Sequence, residues 1–456
     1  MDIKTFKRGL RLPTRKTATE GKPVETIPTP KQLVIPINQH FGAPNQALVA
    51  VGDRVKRGQK IADAVKPGSL AAPVHASVAG VVRKIEPRLQ SNNTDGVCVC
   101  IEPDAERALT DTAFMPPLDA FACSKDEVIA RVRDAGIVGM GGAGFPTHVK
   151  LSPPPGKHID TIIANGAECE PYLTIDEALM TEKSAQFIKG AAIVMRVTGV
   201  QNAIIGMEDN KASLVPALER EIRSAGLEGK ISIGLCRTRY PQGGEKLLIS
   251  ALTGREVPSG GLPMDAGCIV NNVGTLIAIA EAFDLGKPLV DRDLTVSGLA
   301  CKTPKNIRAP VGAMLSDLPQ CFMDVDYDKL HKILFGGPMM GASVPTLEIP
   351  IQKNTSGVIL MTREETAAYA EGSCIRCGRC IRGCSCGLSP VSMNIALNTG
   401  DLDEAVRAGL MDCIECGGCA YNCPAHIKLT QRFRVGKQIL RAKRQAETAA
   451  RQAAKE

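Results

Sequence analysis

Eight cysteines fall in two runs of the same register. Cys374, Cys377, Cys380 and Cys384 are separated by two, two and three residues, and Cys413, Cys416, Cys419 and Cys423 repeat that spacing. Two-residue gaps wrap three thiolates around one face of an iron–sulfur cubane, and the fourth cysteine, after the longer gap, reaches the neighbouring cluster. The register therefore assigns Cys374, Cys377, Cys380 and Cys423 to one [4Fe–4S] cluster and Cys413, Cys416, Cys419 and Cys384 to a second. Zinc sites use two-by-two spacings, which this pattern does not follow. Pro424 follows the second run, whereas Ser385 occupies the matching place after the first, and Cys386 adds a ninth thiol. Cys386 reads as a bystander able to compete with Cys384. Among the other cysteines, Cys98, Cys100, Cys123, Cys236, Cys268, Cys301 and Cys321 read as small hydrophobes, and Cys169, between Glu168 and Glu170, borders a candidate site.

A second group of residues has the types that hold nucleotides. Gly139, Gly141, Gly142 and Gly144 precede Phe145, with Lys150 close behind. Clustered glycines expose backbone N–H groups and let a phosphate approach closely. A helix and not a strand precedes this loop, so it is not the dinucleotide fingerprint. Asn165, Glu168 and Glu170 follow a short apolar strand, the place where ligands sit in open α/β sheets.

These residues need elements to hold them. Of the 456 residues 44% are apolar and 23% charged, ordinary values for a globular chain, and the length suggests several domains. Residues 1–30 read as a basic tail lying on something else. Residues 31–110 alternate in short runs broken by Gly and Pro and read as all-β. The turn pattern at 51–61 resembles that of biotinyl/lipoyl-type barrel-sandwich domains without their lysine motif, which implies a docking or structural role. Residues 103–123 read as an irregular linker. Strand and helix then alternate through 124–285, with one helix expected at 178–197, which implies a Rossmann-like parallel α/β domain. Residues 286–345 read as a small α+β domain, 373–428 as the cysteine domain, and 429–456 as a basic helical tail.

Composition also excludes. The net charge of +7 equals the excess of residues 425–456, where nine Lys/Arg face two Glu, so the rest is balanced. Trp is absent and aromatics are 3%, leaving no stacking platform for single strands and no duplex-reading motif; no nucleic-acid partner is expected. No stretch reaches the ~18 apolar residues of a membrane span, and the N-terminus shows no secretory signal.

The loops at 139–150, 165–171, 243–245 and 271–275 occur in an order that resembles the flavin- and NADH-binding subunit of respiratory complex I. The resemblance implies FMN contacts at Gly139, Lys150, Asn165, Glu168, Gly243, Asn271, Asn272 and Thr275, and NADH contacts at Phe145, Glu170 and Glu245. Ala167 stands in place of an acidic FMN contact, and Gly244 in place of the first Glu of a pair. The full domain order, together with segments 39–44, 74–77, 165–172 and 412–419, resembles the C-subunit family of Rnf complexes, the ion-pumping ferredoxin:NAD+ oxidoreductases. That likeness makes 286–345 an SLBB β-grasp-like module and 373–428 a two-cluster ferredoxin-type domain. It implies two [4Fe–4S] clusters, FMN and NAD(H) as cofactors, and no catalytic acid–base residue. It also implies integral membrane subunits and a ferredoxin-type iron–sulfur subunit as partners, ferredoxin reached only indirectly, and a peripheral place on the cytoplasmic face of a prokaryotic inner membrane. Two other functions remain open from sequence: a corrinoid reductase with the same flavin and ferredoxin parts, and a non-catalytic electron relay.

Overall fold

The computed structural model describes residues 2–366 and 369–453. Residues 31–103 form two small antiparallel sheets. One runs Leu33–Pro36, Asp95–Pro103, Gly80–Leu89, Arg54–Val55; the other runs Asn45–Ala47, Lys60–Ala64, Val74–His75. Leu33, Ile35, Ile61, Val74, Val82, Val99 and Ile101 are buried in one apolar core with Leu294, Val296, Ile307, Val358 and Leu360 of a later sheet. The barrel-sandwich is therefore fused to that sheet and is not a swinging module.

The α/β domain has four parallel strands in the order Ile231–Cys236, Asn202–Glu208, Thr161–Gly166, Cys268–Asn272. The helix expected at 178–197 is two helices, Ile175–Glu182 and Ser184–Thr198, broken at Lys183 with φ −125° and ψ 35°. The break lets the second helix press against Val273–Asp284, where a Cβ on Gly190 would stand 2.0 Å from the Leu276 carbonyl oxygen. Only glycine permits that approach.

Two expected boundaries are corrected. The module drawn at 286–345 continues to Thr362, because the wholly buried strand Gly357–Thr362 lies between Asp291–Ser297 and Leu330–Phe335. The segment expected as a tail, described from residue 2 to 30, lies on this same chain: Val24–Thr26 adds a parallel strand to that sheet beside Lys305–Pro310. Upstream, Lys4 bridges Cys236 and Leu10 bridges Tyr240. Phe6, Leu10 and even Lys16 are buried, so the surface this basic segment lies on belongs to its own chain.

The cysteine domain is built of short helices capped by the long helix Leu429–Ala453. The first half of that helix is not a tail either. Leu429, Phe433 and Leu440 are buried, the first two in a core with Met393, Ala396, Ala405 and Leu410. Val435 and Ile439 point outward, more than half exposed.

Candidate functional site

The glycine-rich loop is closed on itself. The Gly139 N–H donates to the Phe145 carbonyl (2.8 Å), the Thr147 N–H to that of Ile137 (3.0 Å), and Val138 pairs with Pro146. Gly142 and Gly144 have φ of +139° and +62°, which L side chains rarely adopt, and no atom lies within 4 Å of where a Gly142 Cβ would be. At Gly142 the loop therefore offers its main chain to open space, as a phosphate cradle requires, while Asn354 holds the Gly142 carbonyl at 3.1 Å. Thr275 supports it from below, its buried hydroxyl accepting the Met140 N–H at 3.0 Å.

The other loops meet at the carboxyl ends of the parallel strands. Asn165 donates from Nδ2 to the Gly243 carbonyl at 2.9 Å and accepts the Ala167 N–H at 3.1 Å. A Cβ on Gly243 would stand 2.1 Å from the Ala167 oxygen, so these two loops touch only because residue 243 is glycine. Asn272 caps the helix Val273–Asp284 through Oδ1 and donates Nδ2 to Asp176 at 2.9 Å. Asn271, 2% exposed, leaves its Nδ2 without a partner. A buried donor left unpaired costs about 1–3 kcal/mol, so this atom fits an acceptor supplied by a bound ligand. Lys150 donates to the Val270 carbonyl (3.1 Å) and to Glu245 (2.9 Å), pairing one residue expected at FMN with one expected at NADH.

Glu168 has different surroundings from its neighbours. Its Oε2 accepts from Lys211 at 2.9 Å, its Oε1 accepts the Asp176 N–H at 2.9 Å, and Lys16 lies 3.6 Å away. Burial alone would raise this carboxyl, but the Lys211 and Lys16 ammoniums outweigh it and hold the group below its ordinary range. Asp176 shows the opposite balance: burial and then Glu168 push it up to about 6. Lys16 also donates to the carbonyls of Glu168 and Leu173. Glu168 thus anchors the 165–176 loop from beneath. Sequence reading missed Lys16 and Lys211, since a lysine in a basic segment or a loop carries no signal of burial.

Glu170 spans to the turn that follows Leu330–Phe335, accepting the Met339 and Met340 N–H groups at 3.0 and 2.9 Å. Burial pushes its carboxyl up to about 7. A carboxyl with a folded pKa above its unfolded value takes up a proton on folding between the two, so its penalty grows as pH rises through that window. Glu170→Gln cannot ionise and should flatten the fall of thermal stability between about pH 5 and about pH 7.5. An unchanged slope would assign the titration to another group.

The two cysteine runs share an unusual backbone. Arg376 and Glu415, the third residue of each run, have φ of 54° and 56°, and Gly378 and Gly417 follow with 69° and 78°. In the second run the Glu415 N–H reaches the Cys413 sulfur at 3.4 Å. Cys384, Cys413, Cys416 and Cys419 line one cleft of about 340 Å³ including its mouth, with Cys386, Ile414, Met393 and Phe433. Cys380 has Cys423 and Cys374 as charge neighbours. In both sets the fourth cysteine of one run stands with members of the other. The thiols line a cleft and do not close on a point: among the described residues no three His, Cys, Asp or Glu side chains converge as around a single ion. Burial raises the thiols of Cys413 to about 11 and Cys419 to about 12, so cluster binding there must displace protons. Cys386 is likewise raised, to about 11, by burial. Cys386→Ala should keep its full iron; a loss of about four iron atoms per chain, one cubane, would make Cys386 a ligand.

The second run is gripped from three sides. Tyr240, 2% exposed, donates its hydroxyl to the Cys416 carbonyl at 2.7 Å. Ser259 donates to Asp412 at 2.8 Å, and Lys437 to the Cys413 carbonyl at 2.6 Å. Tyr240 had no assigned role from sequence, because a lone tyrosine is usually structural.

Loops gathered at the carboxyl ends of a parallel sheet, where ligands sit in such folds, and bonded through Tyr240 to a twin-cysteine module, form the architecture of an electron-transfer oxidoreductase. Residues 132–281 match the Nuo51 FMN-binding domain and residues 4–106 the RnfC barrel sandwich hybrid domain. The C subunit of the proton-translocating ferredoxin:NAD(+) oxidoreductase complex of Clostridium ljungdahlii is 41% identical, over 89% of this chain and 87% of its own. The C subunit of the Na(+)-translocating complex of Acetobacterium woodii is 40% identical, over 97% and 99%. An NAD+-reducing [NiFe]-hydrogenase in the air-oxidized state is similar in fold, with a TM-score of 0.50 and 22% identity over 69% of this chain and 63% of that one. The chain belongs to the C-subunit family of the Rnf-type ion-translocating ferredoxin:NAD+ oxidoreductase complexes.

Proposed function

We propose that this chain exchanges electrons with NAD(H) on behalf of an ion-translocating ferredoxin:NAD+ oxidoreductase complex. The observation that carries the reading is the Tyr240 hydroxyl on the Cys416 carbonyl, which joins the nucleotide crevice to the cysteine cleft by one hydrogen bond. FMN would lie against Gly139, within reach of Lys150, Asn165, Gly243, Asn271 and Asn272; Phe145, Glu170 and Glu245 would serve NADH, with the main chain of Gly141 and Gly142 beside them. Glu168 and Thr275 act from behind, fixing the loops that touch the flavin. Bound in these places, FMN would supply the conversion of a two-electron hydride exchange into single electrons, and each [4Fe–4S] cluster held by the cysteines would carry one. Hydride transfer itself asks no proton of the protein, so the residues here position and exclude water.

Two relatives of nearly equal identity are named for different ions, proton and Na+. We therefore place ion choice in other subunits. Among the described residues no helix is long and apolar enough to cross a membrane, and the reading makes this chain a peripheral subunit at the cytoplasmic face, held by integral membrane partners and by a ferredoxin-type subunit that meets ferredoxin itself.

The test is spectroscopic. The purified chain should carry flavin absorbance that NADH bleaches anaerobically, and Lys150→Ala should lower flavin occupancy because a phosphate loses its cation. A chain without flavin would favour the electron-relay alternative. NADH-dependent reduction of cob(II)alamin would favour the corrinoid reductase.

A further inference from the structure

The loop 39–44 of the barrel-sandwich reaches over the glycine-rich loop of the α/β domain. The Phe41 N–H donates to the Gly144 carbonyl at 3.0 Å, and the Phe41 and Phe145 rings stack with centroids 6.1 Å apart and planes 24° from parallel. Phe41 is 61% exposed and Phe145 half-buried. Scattered exposed apolar residues are ordinary; a stacked pair built from two domains and tied by a main-chain bond is a different object.

The loop that carries Phe41 is rigid by construction. The buried Gln39 accepts the Lys353 N–H at 2.9 Å and donates to the Pro36 carbonyl at 2.9 Å. His40 bonds the Ala43 carbonyl at 2.8 Å, and the Ala43 N–H donates to Leu70 at 2.7 Å. Gly42, at φ +136°, passes so close to Leu70 that a Cβ would stand 2.0 Å from its carbonyl oxygen. An aromatic ring is thus held out to solvent on a loop whose conformational entropy is already spent. Such an arrangement favours a ligand, because little further ordering is lost on binding.

Beside the rings lies the exposed main chain of Gly141 and Gly142, free of side chains and suited to phosphate. A flat ring system joined to a phosphate is what a π platform next to a phosphate cradle recognises. We propose that Phe41 completes the dinucleotide site, stacking on the adenine ring of NAD(H), so that the site is shared between the barrel-sandwich and the α/β domain. This rests on the reading of the crevice as an NAD(H) site and adds a residue from another domain to it.

The experiment uses the flavin-loaded full chain and calorimetric titration with NAD+, ADP-ribose and nicotinamide mononucleotide. Phe41→Ala should raise the Kd for NAD+ and for ADP-ribose about tenfold, with flavin content unchanged and nicotinamide mononucleotide unaffected. Phe41→Tyr should restore the affinity. Equal NAD+ affinity in wild type and Phe41→Ala would overturn the proposal, including the case in which the variant loses membrane partners instead. A wild type that binds no NAD+ would overturn the functional reading itself. Should Phe41→Ala fold poorly, Phe41→Trp supplies a second readout, since the chain has no tryptophan. Its emission should be quenched on adding NADH; unchanged emission on saturation would also overturn the proposal.

Discussion

Replacing Cys423 by serine should destroy the cluster held by Cys374, Cys377 and Cys380, although Cys423 lies in the other run. The spacing calls for this crossing, and the structure sets Cys380 beside Cys423 and Cys374 while Cys384 lines the cleft of Cys413, Cys416 and Cys419. Paramagnetic spectra of reduced Cys423→Ser and Cys374→Ser should therefore lack the same signal, and Cys384→Ser should lack the other. If Cys423→Ser and Cys413→Ser abolish one signal in common, the runs are not crossed. The same spectra test the grip on the second run. Tyr240→Phe removes the hydroxyl from the Cys416 carbonyl and should perturb the signal of the Cys413 set while sparing the other.

Much of this was legible in the sequence because its signals are local. The cysteine register needs only spacing, and the parallel sheet needs only alternation of apolar strands with helices. What stayed hidden depends on long-range pairing. Gly357–Thr362 reads as an isolated apolar run until Asp291–Ser297 and Leu330–Phe335 are seen on either side of it. The basic N-terminal segment reads as a tail lying on something else, and what it lies on is hidden: Phe6, Leu10 and Lys16 are buried against partners far along the chain. Glu168 was expected at the site from its position two residues beyond a strand, whereas its two ammonium partners, from residues 16 and 211, carry no such local signal.

Those partners make the largest stability forecast. The Lys211 side chain is 0% exposed and that of Glu168 4%, with Nζ and Oε2 2.9 Å apart. Asp176 and Glu208 also bear on Lys211, and Glu208 is 1% exposed. Removing this ammonium leaves Glu168 and Glu208 to share Lys16, and Asp176 with Arg292. Breaking a buried ion pair from one side costs about 3–5 kcal/mol, more than the ~1.5–3 kcal/mol of a single charged hydrogen bond. Lys211→Met should therefore lower the thermal midpoint by several degrees and release the 165–176 loop, with loss of flavin. Adding Glu168→Gln should recover part of the midpoint, since it removes the uncompensated charge. The pH dependence has a definite sign. In the wild type Glu168 is held below its ordinary pKa, so its contribution is present above the unfolded carboxylate value of about 4.3 and fades as pH falls through the folded one. Without Lys211 that carboxyl can take up a proton, so the deficit of Lys211→Met should be smaller near pH 5 than near pH 8. A deficit equal at both pH values, or left unrelieved by Glu168→Gln, would mean that Lys211 acts through packing and not through its charge.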